Sequence, residues 1–287
     1  MNIEFLMESE LLALEGEPGR FKARIRKEPR YIDLDKCTSC GECTKVCPVD
    51  LSDDYQEGLA TKKATYKQYA QAIPGAFAID KGDKAPCRLA CPGGLNVQGY
   101  VNMVKEGKYK EALKIIMQDL PLPGVLGRIC PHGCEDACRR CDVDEPVAIR
   151  DLKRLAADKF DCREIEINCP APREEKVAII GSGPAGLSCA YQLAKKGILS
   201  TIYEALPEAG GMLRVGIPAH RLPREVLDQE IEVITRLGVE IKTNTPLGSD
   251  LSVDDLLNDG YKAVYLALGA HKGIDLGIPG EKALGVR

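Results

Sequence analysis

The sequence Lys-Val-Ala-Ile-Ile-Gly-Ser-Gly-Pro-Ala-Gly at residues 176–186 predicts the fold of the C-terminal part of the chain. Its first five residues are typical of a buried strand, and the glycines predict a tight turn into a helix that runs through Lys196. A second predicted strand at residues 200–203 is followed at once by the acidic Glu204. Strand, glycine-rich turn, helix and strand in this order predict a parallel α/β unit.

The spacing of these glycines predicts that the unit binds a dinucleotide. Glycines permit the tight turn, the close approach of a pyrophosphate and the close packing of helix on strand, and the pyrophosphate would lie at the helix N-terminus. Glu204 stands at the distance along the chain expected of an acid that accepts a ribose hydroxyl. The motif alone does not separate FAD from NAD(P). The cofactor-binding residues predicted from it are Gly181, Gly183, Pro184, Ala185, Gly186 and Glu204.

Four cysteines upstream have the spacing of bacterial ferredoxins. Cys37, Cys40, Cys43 and Cys47, followed by Pro48, form the pattern C-x2-C-x2-C-x3-C-P. A tight loop with two-residue gaps delivers three thiolates to one 4Fe-4S cluster, and nearby peptide N–H groups stabilise the cluster's negative charge. Zinc sites usually pair cysteines two by two across a long gap, so the pattern favours iron and sulfide. The spacing leaves open whether Cys47 serves this cluster or a neighbouring one.

A second set of six cysteines flanks two predicted helices and can hold a further cluster. Apolar residues recur at helical spacing at 97–104 and again at 112–117. Ten cysteines in the two sets suffice for two clusters with four thiolates each, and a zinc site is the alternative for the second set. His132 is interpreted as a donor outside the ligand set or as a bystander. The six cysteines are Cys87, Cys91, Cys130, Cys134, Cys138 and Cys141.

Composition excludes several classes of protein. The chain has 287 residues, 39 basic and 43 acidic, and a net charge of -4, so it has no overall basic field for nucleic acid. No apolar run has the length of a membrane span, and the acidic first residues do not resemble a signal peptide. Thirteen cysteines in a chain of this length indicate metal binding rather than disulfide staples. We therefore expect a cytoplasmic protein without nucleic-acid or membrane partners.

Residues 87–158 resemble the iron–sulfur helical domain of dihydropyrimidine dehydrogenase and of the glutamate synthase small subunit. The resemblance lies in Cys91-Pro92, residues 127–131, Cys134-Glu135 with Cys138, and residues 145–149. Those relatives have another C-x2-C pair upstream of Cys87, which is missing here. Either the loop at 37–47 supplies the missing thiolates, or the second cluster is lost. Some relatives also use Gln or Glu as a ligand near Lys153. Because a lysine ammonium is a poor ligand, Cys141 is a candidate replacement.

The segments at 210–218 and 221–223 are similar to the flavin-contacting part of the glutamate synthase small subunit. Residues 265–270 resemble the strand that approaches FAD again in that family. The resemblance implies that the dinucleotide is FAD. Relatives continue into an NAD(P)H-binding domain and a final piece of the FAD domain. We therefore expect an incomplete FAD site and no nicotinamide site in this chain. The additional FAD contacts that the resemblance implies are Gly211, Met212, Arg214, Arg221 and Gly269.

The N-terminal part resembles the flavoprotein subunit of heterodisulfide reductase. The similar stretches are residues 15–21, residues 27–31, the cysteine loop, residues 71–74 and residues 78–80. In that family the strand pair belongs to a flavin domain into which the ferredoxin loop is inserted.

Apolar residues alternate with basic ones at Phe21, Ala23 and Ile25, which predicts a half-buried strand. Pro121 and Pro123 are expected to end the helix before them.

These observations predict a multidomain chain of the α+β and α/β classes, truncated relative to its relatives. The predicted domains are residues 1–85 (a β-hairpin and a ferredoxin-type 4Fe-4S segment), 86–160 (an α-helical iron–sulfur domain), 161–175 (a linker) and 176–287 (an incomplete Rossmann-like FAD-binding domain).

The predicted function is that of an oxidoreductase subunit that moves electrons between FAD and 4Fe-4S clusters. By resemblance, it serves a multi-subunit complex of the heterodisulfide reductase, hydrogenase or dehydrogenase type, with ferredoxin as a possible partner. The alternatives are a protein like the NADPH-dependent glutamate synthase small subunit, a non-catalytic iron–sulfur wiring fragment that binds no flavin, and a zinc scaffold. The sequence predicts no catalytic side chain.

Overall fold

The structure, a computed structural model, describes residues 5–81, 84–249, 251–271, 273–275 and 277–284. It divides the chain into two compact units, Met1–Ala85 and Pro86–Arg287. Residues 285–287, where we expect the FAD domain to break off, lie outside the described residues. None of the helices in the described ranges has the length and apolar character needed to cross a membrane.

An antiparallel hairpin dominates the first unit. Its strands are β1 (Ser9–Glu17) and β2 (Arg20–Lys27), and an irregularity after Leu11 shifts the register by one residue. As a result Leu11 lies opposite Ile25 and Leu14 opposite Ala23, on the same face. The prediction of a half-buried strand is wrong here, because every residue of β2 is exposed. The alternation of apolar and basic residues predicts that one face of the strand is apolar. That face is buried only if another layer of the protein covers it.

Short elements around the cysteine loop complete this unit. The one-turn helix α1 contacts β5, and β3 pairs antiparallel with β4 as β5 does with β6. These elements are α1 (Glu42–Lys45), β3 (Asp50–Ser52), a 3-10 turn (Asp54–Gln56), β4 (Thr61–Lys63), β5 (Thr65–Tyr66) and β6 (Ala78–Ile79).

The second unit begins with a helical part that is built around an apolar core. The two predicted helical stripes are confirmed, since Tyr100, Leu113 and Ile116 are completely buried. Pro123 does not end the preceding helix but begins the next one, where its missing N–H has no intrahelical partner to lose. The helices are α2 (Pro86–Leu89), α3 (Val97–Lys105), α4 (Tyr109–Met117), α5 (Pro123–Ile129), α6 (Gly133–Asp136) and α7 (Ile149–Lys159), with 3-10 turns at Arg139–Asp142 and Cys162–Glu164.

A parallel four-stranded sheet with the order β10-β7-β8-β9 forms the rest of this unit. Tyr203 lies beside Ile180 and Ile180 beside Leu266, so the carboxyl ends of three strands meet at one edge. Dinucleotides bind at this edge in open α/β sheets. The elements are β7 (Lys176–Ile180), α8 (Pro184–Ala194), β8 (Leu199–Tyr203), α9 (Met212–Val215), α10 (Arg224–Arg236), β9 (Glu240–Lys242), α11 (Val253–Asn258) and β10 (Ala263–Leu266).

Hydrogen bonds join the helical part to the sheet part within the second unit. The Tyr191 hydroxyl on α8 donates to the Met117 carbonyl at 2.5 Å. On α10 the buried Glu230 carboxyl group accepts the backbone N–H groups of Gly124 and Val125 at the start of α5. Cys162, in the predicted linker, is buried in the core of the helical part. The two parts therefore share packed and hydrogen-bonded contacts.

Candidate cofactor sites

A cavity of about 690 Å³ opens at the carboxyl edge of the parallel sheet. The glycine turn after β7, the acid after β8 and the segment after β10 all reach it, because the ends of these strands lie side by side. Its walls include Tyr203, Leu206 and Leu268, which give it an apolar character beside the glycine turn. The predicted cofactor residues that line it are Gly181, Gly183, Pro184, Ala185, Glu204, Gly211, Met212 and Gly269.

Gly186 lies outside this cavity and serves the packing of α8. A Cβ atom at this position would collide with the carbonyl oxygen of Gly181 and would press on Ile179 at 3.2 Å. One turn further along α8, Ala190 is completely buried. The third glycine of the motif therefore keeps α8 close to the sheet, which is the role that the motif predicts.

Glu204 is buried and holds the glycine turn from inside. Its Oε2 accepts the backbone N–H of Ser182 at 2.8 Å and the Ser182 hydroxyl at 2.5 Å, while its Oε1 accepts the Leu206 N–H at 2.9 Å. The Ser182 hydroxyl also accepts the Gly210 N–H at 3.0 Å. Ser182 is not among the predicted site residues, since its only local signal is its place between two motif glycines. The carboxylate and the Ser182 hydroxyl thus tie the glycine turn to the loop between β8 and α9.

Two arginines predicted to contact FAD do not line the cavity. Arg214 donates to the Ala209 carbonyl at 2.5 Å and pairs with Glu208 and Asp228, so its guanidinium is engaged elsewhere. Arg221 is exposed. The structure therefore brings most of the predicted glycines together with Glu204, but it leaves out Gly186 and these two arginines.

Three of the four ferredoxin-type cysteines surround a small cavity in the first unit. Cys37, Cys40 and Cys43 line a space of about 270 Å³. The loop is fixed from both sides, because Thr44 Oγ1 donates to the Thr65 carbonyl and Thr65 Oγ1 donates to the Cys43 carbonyl, each at 3.1 Å. Cys47 does not line this cavity, and its Sγ lies 3.8 Å from the Val49 carbonyl oxygen.

Two thiols of this loop are biased toward the ionised form that binds metal. Hydrogen bonds from the Glu42 backbone and the Thr38 side chain lower the pKa of Cys40. Burial acts to raise the pKa of Cys47, but hydrogen bonds from the Thr65 backbone and neighbouring groups outweigh it, so this pKa is also lowered. The loop therefore favours thiolates at both of these positions of the motif.

The second set of cysteines gathers around Tyr100. The short helix that carries Cys87 packs on the one that carries Cys134. Burial raises the pKa of Tyr100, and the thiols of Cys134, Cys91, Cys87 and Cys130 add to this effect, so all four lie within electrostatic range of its hydroxyl. Burial, assisted by Cys130 and Cys91, raises the pKa of Cys134 to about 11. Cys141 is exposed and Cys138 acts electrostatically on Cys87.

His132 contributes through its backbone. Its N–H donates to Cys130 Sγ at 3.4 Å, while its side-chain Nδ1 lies 3.3 Å from Glu135 Oε2 without an aligned hydrogen bond. Glu135 in turn accepts the Arg150 N–H at 2.7 Å with its other oxygen. A peptide N–H directed at a thiol is the kind of donor that stabilises a negatively charged cluster.

The donor chemistry of both cysteine sets fits iron–sulfur clusters. All ten thiols are free, and thiolates are the ligands of such clusters. Within the part of the chain that the structure describes, no three His, Cys, Asp or Glu side chains stand at the spacing of a closed coordination sphere. The cysteine sets are therefore gathered but not closed on one point.

Three family models match the chain. Residues 59–165 match the dihydropyrimidine dehydrogenase domain II with a 4Fe-4S cluster, residues 175–287 match the pyridine nucleotide-disulphide oxidoreductases, and residues 30–51 match the 4Fe-4S binding domain. The predicted resemblance of the helical part to dihydropyrimidine dehydrogenase is confirmed. An iron–sulfur domain thus precedes a pyridine nucleotide-disulphide oxidoreductase domain.

Curated relatives are oxidoreductases. The NADP(+)-dependent formate dehydrogenase subunit beta of Moorella thermoacetica is 48% identical over 221 residues, which are 69% of this chain and 31% of that protein. The NADPH-Fe(3+) oxidoreductase subunit beta of Geobacter sulfurreducens is 46% identical over 250 residues, 86% of this chain and 36% of that protein. The glutamate synthase (NADPH) small chain of Bacillus subtilis is 37% identical over 282 residues, 94% of this chain and 53% of that protein.

The chain spans about a third to a half of the length of these relatives. The matches confirm the predicted iron–sulfur domains and the oxidoreductase-type domain that follows them. The matches do not point to the heterodisulfide reductase flavoprotein in particular, since these three relatives are named for NADP(+) or NADPH instead.

Proposed function

We propose that this chain is part of an iron–sulfur flavoprotein that passes electrons between FAD and 4Fe-4S clusters in a multi-subunit redox complex. The observation that carries this proposal is that the second unit contains both a dinucleotide-sized cavity and a gathered set of thiols. Hydrogen bonds from α8 and α10 join the two parts directly. A flavin accepts electrons in pairs and clusters carry them singly, so the combination links the two kinds of transfer.

The residues that would hold FAD are those that line the cavity at the sheet edge. The turn at Gly181 and Gly183 leaves room for a pyrophosphate at the start of α8. Glu204 has its oxygens engaged by Ser182 and Leu206, so its first role in this proposal is to shape the turn. When bound, FAD supplies the two-electron and one-electron chemistry, and the chain supplies its position.

We place one cluster in each cysteine set. Cys37, Cys40 and Cys43 would hold the first, with Cys47 as the fourth ligand of this loop. The four thiols around Tyr100 would hold the second, and Cys138 and Cys141 would lie at its border. This assignment rests on the lining of the small cavity and on the electrostatic proximity of the four thiols.

Partner subunits follow from the relatives, two of which are named as beta subunits. We propose that the partner is a dehydrogenase, hydrogenase or reductase subunit, and that ferredoxin can exchange electrons with the complex. Heterodisulfide reductase remains one such partner because of the resemblance of the N-terminal part.

We also propose a cytoplasmic location, because ten of the cysteines are proposed to bind metal rather than to form disulfides.

The proposal is tested by anaerobic purification, followed by iron, sulfide and flavin quantification. We expect about eight irons per chain, four per cluster, together with bound FAD. Cys134→Ser should remove about half of the iron, whereas the matched control Cys169→Ser, at an exposed cysteine outside both sets, should remove none. Zinc in place of iron would contradict the proposal. Eight irons without flavin would support the wiring fragment instead.

A glutamate synthase small subunit is the second candidate, because the match to the Bacillus subtilis small chain covers 94% of this chain. This candidate predicts NADPH-dependent glutamate formation when the protein is mixed with a glutaminase-bearing large subunit. Electron transfer to ferredoxin without such a large subunit would favour the first candidate.

A further inference from the structure

Lys153 on α7 is the only buried basic side chain among the described residues. It is 5% exposed, and no carboxylate of the described residues lies within 4 Å of its ammonium group. Burial of an ammonium group is costly unless a negative charge compensates it. A thiolate or a cluster close to this side chain would supply such a charge.

The first turn of α7 is hydrogen-bonded to α6, which carries Cys134, and to Tyr100, around which the thiols gather. Glu135, next to Cys134, accepts the Arg150 N–H at 2.7 Å, and the Tyr100 hydroxyl donates to the Ile149 carbonyl at 2.9 Å. Lys153 follows about one turn later on the same helix. The helix that carries Cys134 thus contacts the N-terminal half of α7, on which Lys153 lies.

The packing of α5 on α7 brings Cys130, which follows α5, toward the part of α7 that carries Lys153. A Cβ atom at Gly127 would lie 2.7 Å from the Arg154 Cα, so the two helix backbones are in close contact next to Lys153. Three residues beyond Gly127, α5 gives way to Cys130. Consistent with this placement, the positive charge of Lys153 opposes the effects that raise the pKa of Cys134.

We propose that the Lys153 ammonium group raises the reduction potential of a 4Fe-4S cluster held by Cys134 and its neighbouring thiols. The inference rests on the proposed function, since it requires a cluster at this set. In the reaction the cluster accepts one electron from a one-electron reductant such as dithionite, which is oxidised, and the negative charge of the cluster and its thiolates increases by one. A fixed cation nearby stabilises the reduced state more than the oxidised state, and burial strengthens this effect.

The test is a redox titration followed by electron paramagnetic resonance. It uses the full chain in a Cys40→Ser, Cys43→Ser background, so that the signal comes from the second cysteine set. Lys153→Met removes the charge at similar side-chain length. We expect about a tenfold loss in the equilibrium constant for reduction, which is a midpoint potential lower by about 59 mV for one electron. Lys153→Arg retains the charge and should remain near the parent value.

The matched control is Lys159→Met on the same helix. Lys159 is exposed at the end of α7. Its replacement removes the same formal charge but leaves the buried charge of Lys153 in place. Its midpoint potential should stay at the parent value. An unchanged potential in Lys153→Met, or an equal shift in Lys159→Met, would overturn the proposal.

Iron uptake decides the remaining outcomes. If Lys153→Met takes up no iron, Lys153→Leu serves as a second neutral variant. Iron uptake by Lys153→Arg but by neither neutral variant would support a role of the positive charge. Loss of iron in Lys153→Met, Lys153→Leu and Lys153→Arg alike would show that the shape of the side chain matters instead and would overturn the proposal. If the Cys40→Ser, Cys43→Ser protein with Lys153 intact contains no iron, the proposed cluster at the second cysteine set is wrong. If the neutral variants hold a cluster whose midpoint potential is unchanged, the role of Lys153 is wrong, but the proposed function stands.

Discussion

The hydroxyl of Ser182 is the small group on which the shape of the glycine turn depends. It bridges the Glu204 carboxylate and the Gly210 N–H in a completely buried position. Both partners would be left short of a hydrogen bond without it. A buried group that loses its partner costs about 1–3 kcal/mol.

Ser182→Ala should therefore lower the free energy of unfolding by about 1–3 kcal/mol and weaken FAD binding. Chemical denaturation and a flavin fluorescence titration measure the two effects. Ser200→Ala is the control, because the buried Ser200 hydroxyl has no hydrogen-bond partner among the described residues and its removal should be neutral or stabilising. Equal destabilisation by both variants would contradict the role given to Ser182.

The buried Glu230 predicts a dependence of stability on pH. Burial raises its pKa to about 8, against the opposing hydrogen bonds from Gly124 and Val125 and the charge of Arg128. An unfolded glutamate releases its proton near its ordinary pKa of 4.5, whereas the folded protein retains it. The unfolded state then binds fewer protons, so stability falls as pH rises from about 4.5 to about 8 and levels off above that.

Glu230→Gln isolates this contribution, since it cannot ionise. The difference in unfolding free energy between the wild type and Glu230→Gln should fall across this pH window, as followed by denaturant titrations at a series of pH values. A difference that does not change with pH would mean that Glu230 ionises in the folded protein as it does in the unfolded chain.

At the scale of elements, the crossing of α5 on α7 depends on Gly127. Gly127→Ala would force the two backbones apart, and overpacking of this kind costs about 1–3 kcal/mol. We expect a lower thermal unfolding temperature together with less iron at the second cysteine set, because α5 leads directly to Cys130. Gly75→Ala is the control, since a Cβ atom there meets no neighbouring atom within 4 Å. Unchanged stability in Gly127→Ala would show that the helices tolerate a wider separation.

Local patterns predicted much of the fold and part of the site, and contacts between distant segments account for most of what was missed. The glycine turn and its flanking strands follow from neighbouring residues, and so do the helical stripes around Tyr100 and Leu113. The ion pairs of Arg214 involve side chains that no motif connects to it. Glu230 meets Gly124 across 106 residues, and Ser182 meets Glu204 across 22, distances at which periodicity carries no information.

At the scale of the whole molecule, bound metal should contribute to stability. Ten thiols in two sets are available to bind metal in the folded protein, and a ligand that binds the folded state stabilises it by mass action. Anaerobic removal of iron by a chelator should therefore lower the unfolding temperature, as measured by calorimetry. Restoring iron and sulfide should recover it. An unfolding temperature that is independent of iron content would show that the fold does not depend on its clusters.

The hairpin of the first unit has a consequence for the behaviour of the protein in solution. Leu11, Leu14, Phe21 and Ile25 each expose between 44% and 58% of their surface on a two-stranded sheet. Exposed apolar residues on a sheet with free edges favour self-association, whereas the opposing charges along the two strands limit it through hydration. Colloidal stability should thus be governed by a short stretch of chain that precedes both cysteine sets, and polar substitutions on this face are the first means of improving solubility without altering the redox chemistry.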